Sequence, residues 1–191
     1  MKVALTENQT LGLVETRTIA RGVALTDAMV KAAEVTLVKG GPICSGRYMI
    51  QVAGDEAAVG AALDVAEKES PVALCRVSRV DGQVLAALKK PQPMGPGMAL
   101  GLLESRKSVT GIAAADAAVK AARVILARLT LARGINGKSY LVVGGDTSAV
   151  TAAVEAGAQA LGKDLVDQLV IASPDPATVA ALCPVTPQYS L

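Results

Sequence analysis

Apolar positions follow two different periods along this chain, and the whole pattern occurs twice. Gly12–Ala20, GLVETRTIA, alternates as a strand does. Val23, Ala24, Ala28, Val30 and Ala33 then recur at helical spacing, with Asp27 and Lys31 placed as an i,i+4 ion pair. Val35–Val38 and Tyr48–Ala53 read as a hairpin around the loop Lys39–Arg47, KGGPICSGR. Asp55 stands where the N-cap of a second helix belongs, Val72–Val77 supplies a further strand, and a short helix reaches Leu88. The predicted order is β-α-β-β-α-β with a terminal helix, a ferredoxin-like split βαβ arrangement of the α+β class.

The second copy is explicit. LGLVETRTIARGVALTDAMVKAAEVTL from Leu11 aligns with LGLLESRKSVTGIAAADAAVKAARVIL from Leu100. Gly12, Glu15, Arg17, Gly22, Asp27, Lys31 and Val35 recur as Gly101, Glu104, Arg106, Gly111, Asp116, Lys120 and Val124. After a small length difference, Gly46-Arg47 stands opposite Gly137-Lys138 and Gly54-Asp55 opposite Gly145-Asp146. The second hairpin loop is Ala132–Lys138, ARGINGK. A period of about 90 residues is too long for a solenoid unit and marks a duplicated domain. Residues 89–97, KKPQPMGPG, have the Pro- and Gly-rich composition of a linker, so the expected domains are 1–90 and 98–191, with 91–97 between them.

Composition narrows the function. The 191 residues suffice for two small domains, 51% of them apolar, yet Trp and Phe are absent and Tyr occurs three times. Such small side chains suit close packing of elements. A net charge of +2 and the lack of a basic run interleaved with aromatics argue against a nucleic-acid partner. The most apolar helical stretch, around Gly111–Leu131, is interrupted by Asp116, Lys120, Arg123 and Arg128, and the opening MKVALTENQTLGLVE has neither a long apolar core nor a cleavage site. The expectation is a soluble cytoplasmic protein with no membrane partner. There is no histidine, which removes the commonest general base and metal ligand, so no catalytic residue and no enzyme is expected. Residues 132–139, ARGINGKS, approach a phosphate-binding loop, but Ala132 replaces the first glycine and the strand-like SYLVVGGD follows, where such a loop must enter a helix. An enzyme or regulator holding an effector between the repeats would need convergent polar groups that the sequence does not offer.

The doubled GLVETRTIARGVALTDAMVKAAEV and GLLESRKSVTGIAAADAAVKAARV, each followed by a Gly-Arg or Gly-Lys hairpin and a strand ending in Gly-Asp, resembles the bacterial microcompartment shell family over Leu11–Leu182. Two such domains in one chain are similar to its tandem class. The resemblance implies a homotrimeric, pseudo-hexameric tile that joins other shell proteins, and encapsulated enzymes behind them, in a microcompartment shell within the cytoplasm. It implies tile-edge roles for Lys31 and Lys120. Where many members carry an arginine after a proline near the last strand, this chain has Val80-Asp81-Gly82 and Pro174-Asp175-Pro176, so that edge contact is not expected here.

The same resemblance places the hairpin loops at a central pore for metabolite passage. Gly41, Pro42, Ile43, Cys44, Ser45 and Gly46 would line it from the first copy, and Arg133, Gly134, Ile135, Asn136 and Gly137 from the second. Arg47, Lys138 and Arg133 would make its surroundings electropositive and favour anionic solutes. In tandem members of the propanediol-utilisation type a cysteine followed by Pro-Gly-Lys in this loop holds a 4Fe-4S cluster. Here the residues are Cys44-Ser45-Gly46-Arg47. Three Cys44 thiolates on a threefold axis would supply three ligands, giving an alternative reading as a redox tile for electron transfer. Cys75 and Cys183 read as structural.

Overall fold

Each half of the chain builds one antiparallel four-stranded sheet, in the computed structural model that describes residues 9–132 and 134–183. The first half runs β1 (Thr10–Thr16), α1 (Ile19–Ala32), β2 (Thr36–Ile43), β3 (Arg47–Gly54), α2 (Glu56–Glu67), β4 (Ala73–Val77) and α3 (Gly82–Lys89). The second repeats it as β5 (Ala99–Ser105), α4 (Ser108–Ala121), β6 (Ile125–Leu131), β7 (Ser139–Gly145), α5 (Thr147–Leu161), β8 (Leu165–Ile171) and α6 (Pro176–Leu182). The strand orders, β2-β3-β1-β4 and β6-β7-β5-β8, are identical. This is the α+β arrangement expected of two duplicated domains.

Local chemistry explains the element starts. Asp55 accepts the Ala58 amide at 2.7 Å, and Asp81 and Asp175 accept the amides of Gln83 and Ala177 at 2.8 Å each, so α2, α3 and α6 open on carboxylate caps. The predicted Asp27–Lys31 pair forms at 2.7 Å on the exposed face of α1. β1 is buried along its whole length, its polar Thr10, Glu15 and Thr16 included, as an interior strand paired with β3 on one side and β4 on the other.

Three sequence expectations are corrected. The first strand ends at Thr16 instead of Ala20, because the Thr18 hydroxyl accepts the Arg21 amide and starts α1. The stretch Gly111–Leu131 is not one helix: α4 stops at Ala121 and β6 begins at Ile125. The first hairpin loop is shorter than Lys39–Arg47, since β2 continues to Ile43 past a bulge between Leu37 and Lys39. Gly41, Pro42 and Ile43 therefore lie in an edge strand, the one sheet position that tolerates proline, and only Cys44–Gly46 turn.

The two domains do not merely follow one another. Helix α4 packs on β1 and β4 of the first domain, α3 crosses to lie on β6 of the second, and one apolar cluster joins Leu13, Val77, Val84 and Leu85 to Val109, Ile112 and Leu126. The connecting segment is also pinned. The Gln92 amide donates to the Ala127 carbonyl at 2.7 Å, and Met94 is buried with Leu100, Ala127 and Val142.

Candidate functional site

The two hairpin loops meet. Ser45 sits at φ 67°, a left-handed turn position, and its hydroxyl is hydrogen-bonded to the Asn136 side chain of the second loop. Arg47 Nη2 donates to the Asn136 carbonyl at 3.2 Å. In the second loop Gly134, Asn136 and Gly137 all take positive φ, closing a tight turn into β7. The Ala132 carbonyl accepts the Gly137 amide at 3.2 Å, and this turn enters a strand, so it has no helix N-terminus to hold phosphate. Gly46 and Gly137 have their expected places in the turns, Gly134, Ile135 and Asn136 form the rest of the second turn, and Arg133 lies outside the described residues.

Behind the loops lies a buried charge pair. Arg47 Nη1 bonds Glu15 Oε2 at 2.9 Å, while Glu15 Oε1 accepts the amides of Ser108 at 2.6 Å and Val109 at 2.9 Å. Glu15 on β1 therefore caps α4 of the other domain, whose own N-cap residue, Lys107, supplies no side-chain acceptor. Burial pushes the Glu15 carboxyl above its ordinary value; the Val109 amide, Arg47, the Ser108 amide and Lys107 pull it down without cancelling that effect. In the second domain Lys138 pairs with Glu104 at 2.7 Å in the same way, but this pair is partly exposed. Arg47 and Lys138, two of the three cations expected to make the loop surroundings electropositive, are thus each paired with a carboxylate, while the third, Arg133, lies outside the described residues.

The two lysines expected at an edge stand in unequal surroundings. Lys31 bonds only Asp27 among the described residues, and 72% of its side chain is exposed. Lys120 donates to the Ser78 carbonyl of the first domain at 2.9 Å and pairs with Asp116, yet keeps 41% of its side chain exposed. Asp116 in turn accepts the Asp81 amide at 2.8 Å, completing a polar bracket across the domain junction. Sequence reasoning noted that these positions recur but assigned no junction role to Glu15 or Asp116.

The cysteines separate cleanly. Cys44, half-buried, stands in the turn between β2 and β3. Cys75 lies in β4 under α4, its thiol donating to the Val109 carbonyl at 3.4 Å; burial, with the negative charges of Glu15 and Asp164, pushes it up to about 12. Cys183 is buried beside Val179, and burial raises it as well. No three Cys, Asp or Glu side chains gather as a metal site among the described residues, and no described helix is long and apolar enough to cross a membrane.

Two copies of one α+β unit are joined by a head-to-tail junction, and their hairpin loops touch through Ser45, Arg47 and Asn136. The BMC domain model matches residues 10–86 and 99–174, and the chain belongs to that family. It is 34% identical over 159 residues to the bacterial microcompartment shell protein PduT of Citrobacter freundii, covering 82% of this chain and 86% of that one. It is 46% identical over 81 residues to the carboxysome shell protein CsoS1A of Hydrogenovibrio crunogenus, a match spanning 41% of this chain and 82% of the relative. A crystal structure of a microcompartment protein from Desulfitobacterium hafniense DCB superposes with a TM-score of 0.75 at 35% identity, covering 90% of this chain and 98% of that one. The chain is a bacterial microcompartment shell protein of the PduT type.

Proposed function

We propose that three copies of this chain close into a ring of six shell domains, a tile with the paired loops at its centre. The observation that carries this reading is the unequal burial of equivalent residues. Ile112 and Leu126 are fully buried in the domain junction, whereas their counterparts Val23 and Leu37 are 55% and 41% exposed. A head-to-tail junction leaves one used and one unused copy of each surface, and repetition of a heterologous contact closes a ring when the rotation permits. In that ring Lys31 gains the surroundings Lys120 already has, with part of each side chain left at the rim to meet other shell proteins.

Through the centre, Cys44–Gly46 and Gly134–Gly137 would alternate and pass small polar metabolites to and from encapsulated enzymes. Sedimentation equilibrium tests the ring and electron microscopy tests the sheet. A trimer that tiles, and that keeps its trimer but loses sheets on replacement of both lysines by alanine, supports the reading; a monomer at every concentration sinks it.

A second reading rests on Cys44. It is the cysteine placed in a loop turn, and it provides one thiol per chain, so three chains would be needed to hold a 4Fe-4S cluster by three thiolates. Cys75, half-buried in β4, and the buried Cys183 do not lie in that turn. Such a cluster would supply one-electron transfer across the shell. The chain's own contribution is the turn: Ser45 bonds Asn136 and so fixes the first loop against the second. Anaerobic reconstitution should load iron into wild type and not into Cys44→Ser, with both remaining trimeric; equal iron in the two would refute it.

A further inference from the structure

The junction inside the chain supplies a residue-by-residue template for the seam between copies, and at one place that seam carries charges the template lacks. Pairing β1 with β4 and β5 with β8 makes Ala73 equivalent to Asp167 and Cys75 equivalent to Leu169. The aligned helices make Ile19, Ala20, Arg21 and Val23 equivalent to Ser108, Val109, Thr110 and Ile112. Within the chain, Ala73 and Thr110 line one cleft where α4 meets β4. Their counterparts are opposite charges, Asp167 on β8 and Arg21 on α1, both exposed, with Arg21 in a long 3.5 Å contact to the exposed Glu69 of its own domain.

Around them the remaining features also match. The amides of Ser108 and Val109 are taken by Glu15, whereas those of Ile19 and Ala20 have no acceptor among the described residues. Glu104, the counterpart of Glu15, is held by Lys138 and partly open to solvent. Leu169 is 48% exposed beside it, where Cys75 is covered by α4, and Ile19 and Val23 are exposed on the helix that would cover Leu169. An acidic and apolar strand face therefore lies unused at one end of the molecule, and a basic and apolar helix start at the other.

Resting on the ring reading, we propose that the partner of this face is α1 of a second copy: Glu104 takes the open amides of Ile19 and Ala20, and Asp167 pairs with Arg21. The seam between copies thus keeps the helix-capping carboxylate of the internal junction and replaces a neutral Ala–Thr contact with an ion pair. The pair sets direction. An Asp167 face meeting another Asp167 face is repelled, so head-to-head association is disfavoured relative to the head-to-tail contact that closes a ring.

Sedimentation equilibrium of the full chain tests this. Glu104→Ala should raise the concentration at which the trimer dissociates about tenfold, the size of a lost cap. Ile19→Pro should act similarly, since it deletes one amide at a first helical position where proline fits, and Thr18 before it is already extended. Arg21→Glu and Asp167→Arg should each weaken the trimer by about tenfold or more, and the double reversal should restore most of the loss. A wild-type trimer whose single reversals dissociate like wild type, or whose double reversal is no better than the singles, overturns the seam while leaving the ring intact. A wild type that never forms trimers overturns the ring itself, and the seam with it.

Discussion

The carboxylate of Glu15 and the amide of Val109 are 2.9 Å apart, yet they belong to different domains. Helix α4 has no capping side chain of its own, so its first amides are satisfied only when the domains are docked. Folding of the second domain's first helix is in this way tied to the first domain's central strand.

Glu15→Ala should therefore destabilise the chain by about 3 kcal/mol, because it leaves Arg47 without its carboxylate and two helix amides without an acceptor at the domain junction. The pH dependence has a definite sign. Since burial raises this carboxyl, between its ordinary value and the raised one the native chain holds the proton more tightly than the unfolded chain. Its contribution is then full at acid pH and is lost as pH rises through that window. Glu15→Gln, which retains an acceptor for the amides, should flatten this limb when urea midpoints are followed from about pH 4 to about pH 7.

Gly22 and Gly111 mark where α1 and α4 touch their own hairpins. A Cβ at Gly22 would collide with the Cβ and ring of Tyr48, and one at Gly111 with the Ser139 hydroxyl. Tyr48 opposes Thr16 in the β1–β3 ladder, and its Cβ cannot swing aside. Gly22→Ala is expected to cost about 1–3 kcal/mol despite the better helix propensity of alanine, measured by chemical denaturation.

The doubled domain, its strand order and the capping role of Asp55 were open to sequence reading, because period and cap chemistry are local. The junction was not. Glu15 stands in a strand of otherwise ordinary composition, and only the missing cap at Lys107 hints that α4 needs an acceptor from elsewhere. The length of the first loop is not legible either: glycines and a proline signal a turn, but an edge strand accommodates them, so β2 runs to Ile43.

Thiol chemistry should distinguish the three cysteines. Cys44, in its turn, should react with a disulfide reagent in the native protein. Cys75, pushed up to about 12 and covered by α4, and the buried Cys183 should react only after denaturation. One thiol per chain titrated natively and three in denaturant is the expected count. Rapid native labelling of Cys75 would show that the junction opens.

A last prediction concerns a contact present within the chain and missing between copies. Gln83 lies just inside α3 and bonds the edge of β6 twice: its Nε2 donates to the Val124 carbonyl at 3.1 Å, and its Oε1 accepts the Leu126 amide at 3.0 Å. Its counterpart, set by the matching Asp81 and Asp175 caps, is Ala177, which has no side-chain amide to offer. The matching strand edge at Val35 and Leu37 has the same approach, since Val35 and Val124 both donate two residues back, to Ala33 at 2.8 Å and to Ala122 at 2.9 Å. Gln83→Ala should accordingly weaken the internal junction by about 1–2 kcal/mol, seen as a lower urea midpoint. Ala177→Gln should do the reverse at the seam, installing the same double hydrogen bond on the next copy's β2. Each new pair would lower the trimer's dissociation concentration several-fold. If the glutamine at 177 leaves trimer dissociation unchanged while Gln83→Ala has its expected effect, α6 does not meet β2 of a neighbouring copy as α3 meets β6.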